Sequence, residues 1–219
     1  MMMYIHVIFQ DLTMLFSHWL TIATICVLGA MSLGPSLAVV IKNTLEGSRW
    51  HGMVAGIGHG LGVWIYATVS VLGLGLVIQN HPQVFQAIQL LGAGFLFWLG
   101  IQSLRSTEAP LAESGIESKR LPRQAFVSGF LISFLNPKIA IFFIALFSQF
   151  VDPQNSLAVK LLYSTTAGVI DLAWYCLVAA AFGHRYATAF LKRWMHRIEQ
   201  VLGVILIALG VRLAFYILF

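Results

Sequence analysis

Charge is what this chain has least of. Asp, Glu, Lys and Arg make up 10% of its 219 residues, against a hydrophobic share of 59% and a mean hydropathy of +0.85. That balance excludes an ordinary soluble domain. Cysteine is nearly missing as well. Cys26 and Cys176 both fall inside apolar stretches without Cys-x-x-Cys spacing, so they read as small buried hydrophobes rather than a redox pair. Gly-x-Ser-x-Gly, His-Glu-x-x-His and Walker sequences are absent too. This leaves an intramembrane hydrolase unsupported, calls for no cofactor or metal, and leaves no nucleotide to drive work. Residues 1–11 hold no Lys or Arg and no small-residue cleavage site follows, so they do not read as a signal peptide; Met1, Met2, Met3 and Met14 leave the start residue open.

What is present is six long apolar stretches, at about 13–41, 52–78, 84–104, 124–150, 157–182 and 198–218. A spanning helix takes roughly 20 apolar residues, so six of them use most of the chain. No lumen-facing alternation marks barrel strands, and the spans read as helices. Almost every basic residue falls in the first, third and fifth gaps: Lys42 and Arg49; Arg105, Lys119, Arg120 and Arg123; Arg185, Lys192, Arg193 and Arg197. The second gap, near Asn80 to Gln83, and the fourth, near Asp152 to Ser156, hold no Lys or Arg. Alternate gaps share one membrane face, and basic loops stay in the cytoplasm. Both termini are therefore predicted outside. The formal charge of +5 does not point to nucleic acid, because it sits in short loops beside the membrane, where anionic lipid is the natural partner.

The most polar stretch, 105–123, reads as a cytoplasmic loop between two halves, about 12–104 and 124–219, of one membrane domain covering 1–219. Three spans per half is odd, so the halves enter the membrane from opposite sides as inverted repeats. Leu33-Gly34-Pro35 and Leu135-Asn136-Pro137 occupy matching places, in the first span of each half. An unbroken helix from Leu12 to Glu46 would be about 50 Å long at 1.5 Å per residue, well beyond the hydrocarbon layer. Proline removes an N–H and crowds the preceding turn. Helices 1 and 4 are therefore expected to break at Pro35 and Pro137, exposing backbone that must face protein or a wet cavity, with restarting N-termini that attract anions. A kink for packing alone is the plainer alternative. Gly52, Gly56 and Gly60 make a smooth face on span two, and Gly203 and Gly210 a weaker one on span six; such faces let helices approach closely, within one chain or in a homodimer.

Charged groups within a bilayer cost at least about 2.5–3.5 kcal/mol, so the few at depth need a reason. Asp171, well inside span five, is placed to carry a proton or hold an amine; its bland role is a carboxyl hydrogen-bonded to a neighbouring helix. Lys138, directly after Pro137, would neutralise Asp171 or face a carboxylate, snorkelling being hard from mid-depth. His59, two turns into span two with Tyr66 on the same face, suits proton relay or a simple interhelical bond. Arg212 reads as an interfacial anchor.

Several segments resemble the LysE/RhtB family of amino-acid exporters. They are Leu33-Gly34-Pro35-Ser36, with Leu33 where the family shows a first proline; Gly47-Ser-Arg49-Trp-His-Gly52; the glycines from Gly56 to Gly62; Leu90-Leu-Gly92 through Trp98-Leu-Gly100; and, most specifically, Gly129 through Asn136-Pro137-Lys138 to Phe143. The resemblance implies export of small amino acids or related solutes from bacterial cytoplasm across the inner membrane, by proton exchange. In that reading Gly34, Pro35, Asn136, Pro137, Lys138 and Asp171 bind substrate, while Asp171 and His59 couple protons. Two other classes stay open. A membrane enzyme acting on lipid or quinone requires His59, Asp171 and Tyr66 within reach of one another. A structural subunit requires no polar cavity between the halves.

Overall fold

The computed structural model describes residues 2–32, 34–105, 121–152, 154–182 and 185–218, with backbone alone for 2–12, 185–193, 195, 196 and 218. Among the described residues every regular element is a helix. In chain order they are α1 (Met2–Met31), α2 (Pro35–Glu46), α3 (Arg49–Asn80), α4 (Pro82–Arg105), α5 (Pro122–Phe134), α6 (Pro137–Phe150), α7 (Leu157–Ala181) and α8 (Arg185–Leu218). Five are long and apolar enough to cross a bilayer: α3, α4, α7, the Thr13–Met31 part of α1 and the Arg197–Ile217 part of α8. The α5–α6 pair, bent by 54°, makes a sixth. The chain is an all-α membrane protein.

The stretch expected at 13–41 divides at Pro35 into α1 and α2, as the sequence predicts. One expected span differs in detail. The helix expected from 198 starts at Arg185, because Arg, Lys and Ala are good helix formers and hydrogen bonding continues where apolarity stops. Residues 106–120, and with them Lys119, Arg120 and most of the expected loop, lie outside the described residues, as does Leu33.

Both breaks follow the same rule. Pro35 and Pro137 each stand at the first position of a new helix, where the missing N–H is no loss and the fixed φ already suits the helix. The second break is held by several hydrogen bonds. The Asn136 side chain accepts from the Lys138 N–H at 3.0 Å, and its carbonyl accepts from Ile139 at 3.1 Å. The Phe134 carbonyl at the end of α5 accepts from the Tyr66 hydroxyl at 2.6 Å. At the first break Gly34 offers no side chain to cap α2.

Packing centres on α3, which is smooth on two sides. A Cβ on Gly60 would stand 2.6 Å from Leu172 Cβ, and one on Gly56 3.0 Å from Tyr175 Cβ, so this face lies directly on α7. Gly58 meets the backbone of Phe126, and Gly62 meets Ser133, so the other side lies on α5. Lipid gives helices no hydrophobic reason to associate, and close backbone approach supplies dispersion instead. Gly100 and Gly203 form a like seam between α4 and α8, each facing the other's carbonyl. The glycine faces seen in the sequence are thus used within the chain, and a homodimer would need another surface. A small core gathers α2 (Leu37, Val40) with the starts of α3 (Ala55) and α5 (Ala125) and the end of α7 (Val178, Ala179). The helix ends beside Lys42, Arg49 and Arg123 therefore share one end of the molecule, as alternating loops require.

Candidate functional site

The two breaks face each other across a cavity of about 100 Å³. A single water needs only about 10–15 Å³ on that scale, so there is room for a small solute. Its wall comes from both halves of the chain. Gly34 and Pro35 lie on it at the first break, Asn136 and Lys138 at the second, His59 on α3 and Asp171 on α7. Pro137 sets the bend but does not line the space. Of the residues expected to form a site, all but Pro137 are brought together, although they come from segments far apart in the chain. A cavity between the halves that carries charged side chains on a mainly apolar wall is what a purely structural subunit would lack.

His59 and Asp171 are both buried, 1% and 7% exposed. His59 Nδ1 lies 2.6 Å from Asp171 Oδ2. With the carboxylate ionised, Nδ1 carries the hydrogen and donates, which holds the ring's orientation. The Tyr175 ring packs on the imidazole at 4.5 Å between centroids. His59 Nε2, buried in the cavity wall, has no hydrogen-bond partner among the described residues. A neutral imidazole held in this way presents Nε2 as an acceptor; a protonated one presents a donor and a positive charge.

Lys138 is placed differently from the expectation that it would neutralise Asp171, whose partner is His59. A second buried acid, Glu199 of α8, is bonded to Ser32 on the same cavity wall as Lys138, and it is a residue sequence reasoning missed. Glu199 is 2% exposed and accepts from Ser32 Oγ at 3.1 Å. It follows Arg197 by two residues, so in the sequence it passes for the polar edge of the last span. The backbone N–H groups at the start of α6 already have acceptors at Asn136, so Lys138 meets the cavity through its side chain rather than through a free helix terminus. Tyr66 is spent on the Phe134 carbonyl. It does not join His59 and Asp171, so the trio that the membrane-enzyme reading required is not assembled. Arg212 is exposed, away from the cavity.

A bundle of apolar helices, broken at two prolines around a partly open space lined by groups of both charges, makes this a multi-pass membrane protein with a cavity suited to a small solute. The chain belongs to the LysE type translocator family, which it matches over residues 27–216. It is 29% identical to the threonine efflux protein of Escherichia coli K12 over 206 residues, 89% of this chain and 96% of the other. It is likewise 29% identical to the threonine efflux protein of Salmonella typhi, over 88% of this chain and 95% of the other. An uncharacterized membrane protein of Vibrio cholerae is 28% identical over 90% of this chain. No solved structure matches.

Proposed function

We propose that the protein exports amino acids or related small solutes from the bacterial cytoplasm in exchange for protons. The observation that carries this reading is the buried His59–Asp171 pair on the wall of a cavity that also holds Lys138, with His59 Nε2 lacking a hydrogen-bond partner among the described residues. Lys138 takes the solute's carboxylate. Neutral His59 Nε2, its ring held by Asp171, accepts a hydrogen bond from the solute's ammonium. A proton on Nε2 turns the acceptor into a donor and repels that ammonium. Proton and solute therefore exclude each other at one atom, which is the condition for exchange. Gly34 and Pro35 at the first break, and Asn136 and Pro137 at the second, shape the wall through which the solute is recognised. Each ligand biases the packing of the helices by its differential affinity for the two arrangements.

Membership of a translocator family and the threonine efflux relatives support the solute class. The pairing of α3 with α7 and of α4 with α8 supports inverted halves, since corresponding helices then meet across a two-fold axis in the membrane plane. In this reading the protein sits in the inner membrane, with the end bearing Lys42, Arg49 and Arg123 against anionic lipid of the cytoplasmic leaflet, and both termini outside. The test is efflux from proteoliposomes loaded with single radiolabelled amino acids and given a proton gradient. Wild type releases at least one of them faster when the outside is acid, and Asp171→Asn, inserted at normal level, loses the gradient-driven component. Unchanged gradient-driven flux in that variant would remove Asp171 from the mechanism.

A further inference from the structure

Glu199 takes no part in the exchange just described, yet it is more deeply buried than Asp171. It stands at the start of the apolar part of α8, one turn before Leu202, which lines the cavity. Ser32, beside the first break, donates its hydroxyl to Glu199 Oε1. Lys138, beside the second break, makes no ion pair within 4 Å among the described residues but lines the same small cavity as Ser32, which brings it under the charge of the same carboxylate. One acid thus acts on both breaks. The other titratable groups on the cavity wall are Cys26 on α1, His59 on α3, and Asp171 and Tyr175 on α7; α4 contributes only Leu99. Asp171 is committed to His59, which leaves Glu199 as the counter-charge for Lys138.

An ammonium at membrane depth is expensive, and one stripped of its partner becomes an uncompensated buried charge. Such an amine sheds its proton rather than remain charged, and a neutral amine has little hold on a carboxylate. We propose that Glu199 is a positioning residue for carboxylate recognition: fixed by Ser32, it compensates Lys138 so that the lysine stays charged in the empty cavity and meets an incoming carboxylate as a cation. The nature of that carboxylate rests on the exporter reading; the relation between the two side chains does not.

Two measurements on the purified full-length protein separate those dependencies. Only a neutral amine attacks an acylating reagent. In Glu199→Gln, Lys138 is therefore acylated faster at neutral pH than in wild type, by roughly tenfold or more, as read by peptide mass spectrometry with exposed Lys42 as reference. In the same preparations, affinity for L-threonine falls roughly tenfold or more, with the larger loss at alkaline pH. The double variant K138R/E199Q recovers binding, because a guanidinium keeps its proton without a counter-charge. Ser32→Ala leaves every charge in place and removes one hydrogen bond from the Glu199 side chain. It falls between wild type and E199Q on both scales, and carries the comparison if E199Q does not fold. Equal acylation of Lys138 in wild type, E199Q and S32A would overturn the proposal, as would loss of binding in E199Q that arginine at 138 does not restore. Wild-type protein that binds no threonine would count against the exporter reading alone, and the acylation rates would still decide the role of Glu199.

Discussion

At the scale of single residues, the hydrogen bond between His59 and Asp171 assigns two nitrogens of one ring to two tasks. Nδ1 is spoken for by the carboxylate, and Nε2 has no partner among the described residues; in the proposed exchange it alternates between a proton and an ammonium. A glutamine at 59 keeps polarity and approximate bulk but cannot titrate. His59→Gln is therefore expected to keep solute-for-solute exchange, measured by counterflow at equal pH on both sides, while gradient-driven efflux falls to the level of empty vesicles. Retention of gradient-driven efflux would exclude His59 as the coupling atom. Asp171, His59 and Lys138 were legible in the sequence because a charge inside an apolar run stands out against its neighbours. Their pairing was not, since His59 and Asp171 are 112 positions apart and only the packing of α3 on α7 brings them together. Glu199 was hidden for the opposite reason. It sits among the polar residues that end a basic stretch, where an acid draws no notice.

At the scale of elements, glycine decides how near two helices come. Gly60 and Gly73 lie on the same helix, but their surroundings differ. A Cβ at Gly60 meets Leu172 Cβ at 2.6 Å and its Cα at 3.0 Å, whereas nothing lies within 4 Å of one at Gly73. Gly60→Ala is expected to force α3 and α7 apart, with a loss of about 1–3 kcal/mol. Gly73→Ala should be neutral, or stabilising by about 0.5–1 kcal/mol through helix propensity. Thermal unfolding in detergent checks the pair, and equal midpoints would mean that the α3–α7 seam is looser than described. The smooth face of Gly52, Gly56 and Gly60 was readable from its spacing of four. The second face, Gly58 and Gly62 against α5, follows from the same run of glycines, but its partner was not readable. Both prolines announced the helix breaks. The hydroxyl that Tyr66 donates to the Phe134 carbonyl did not announce itself, because an orphan carbonyl exists only once the helix has ended.

At the scale of the whole molecule, alternation of basic and neutral gaps carried the topology, and the helix ends obey it: those near Lys42, Arg49 and Arg123 share the core around Leu37 and Ala125. Single cysteines at Gly47 and Asn155, in a background lacking Cys26 and Cys176, test the sidedness. The thiol at 155 is expected to react with a membrane-impermeant reagent in intact cells, and the thiol at 47 only after permeabilisation. The reverse pattern would place both termini in the cytoplasm and overturn the topology, while the direction of exchange would still be set by the gradients. The extent of α8 beyond the apolar run lay beyond a reading based on hydropathy, because charged residues that favour helix continue it without altering where lipid begins. The elbow between α5 and α6 has a consequence for motion. Asn136 and Tyr66 satisfy its exposed backbone with groups the chain already owns, so the angle does not wait on cargo and has no reason to straighten when cargo departs. Such a joint behaves as a welded bracket. Rearrangement falls instead to the bare glycine seams, where one backbone slides along another with few side-chain teeth to disengage.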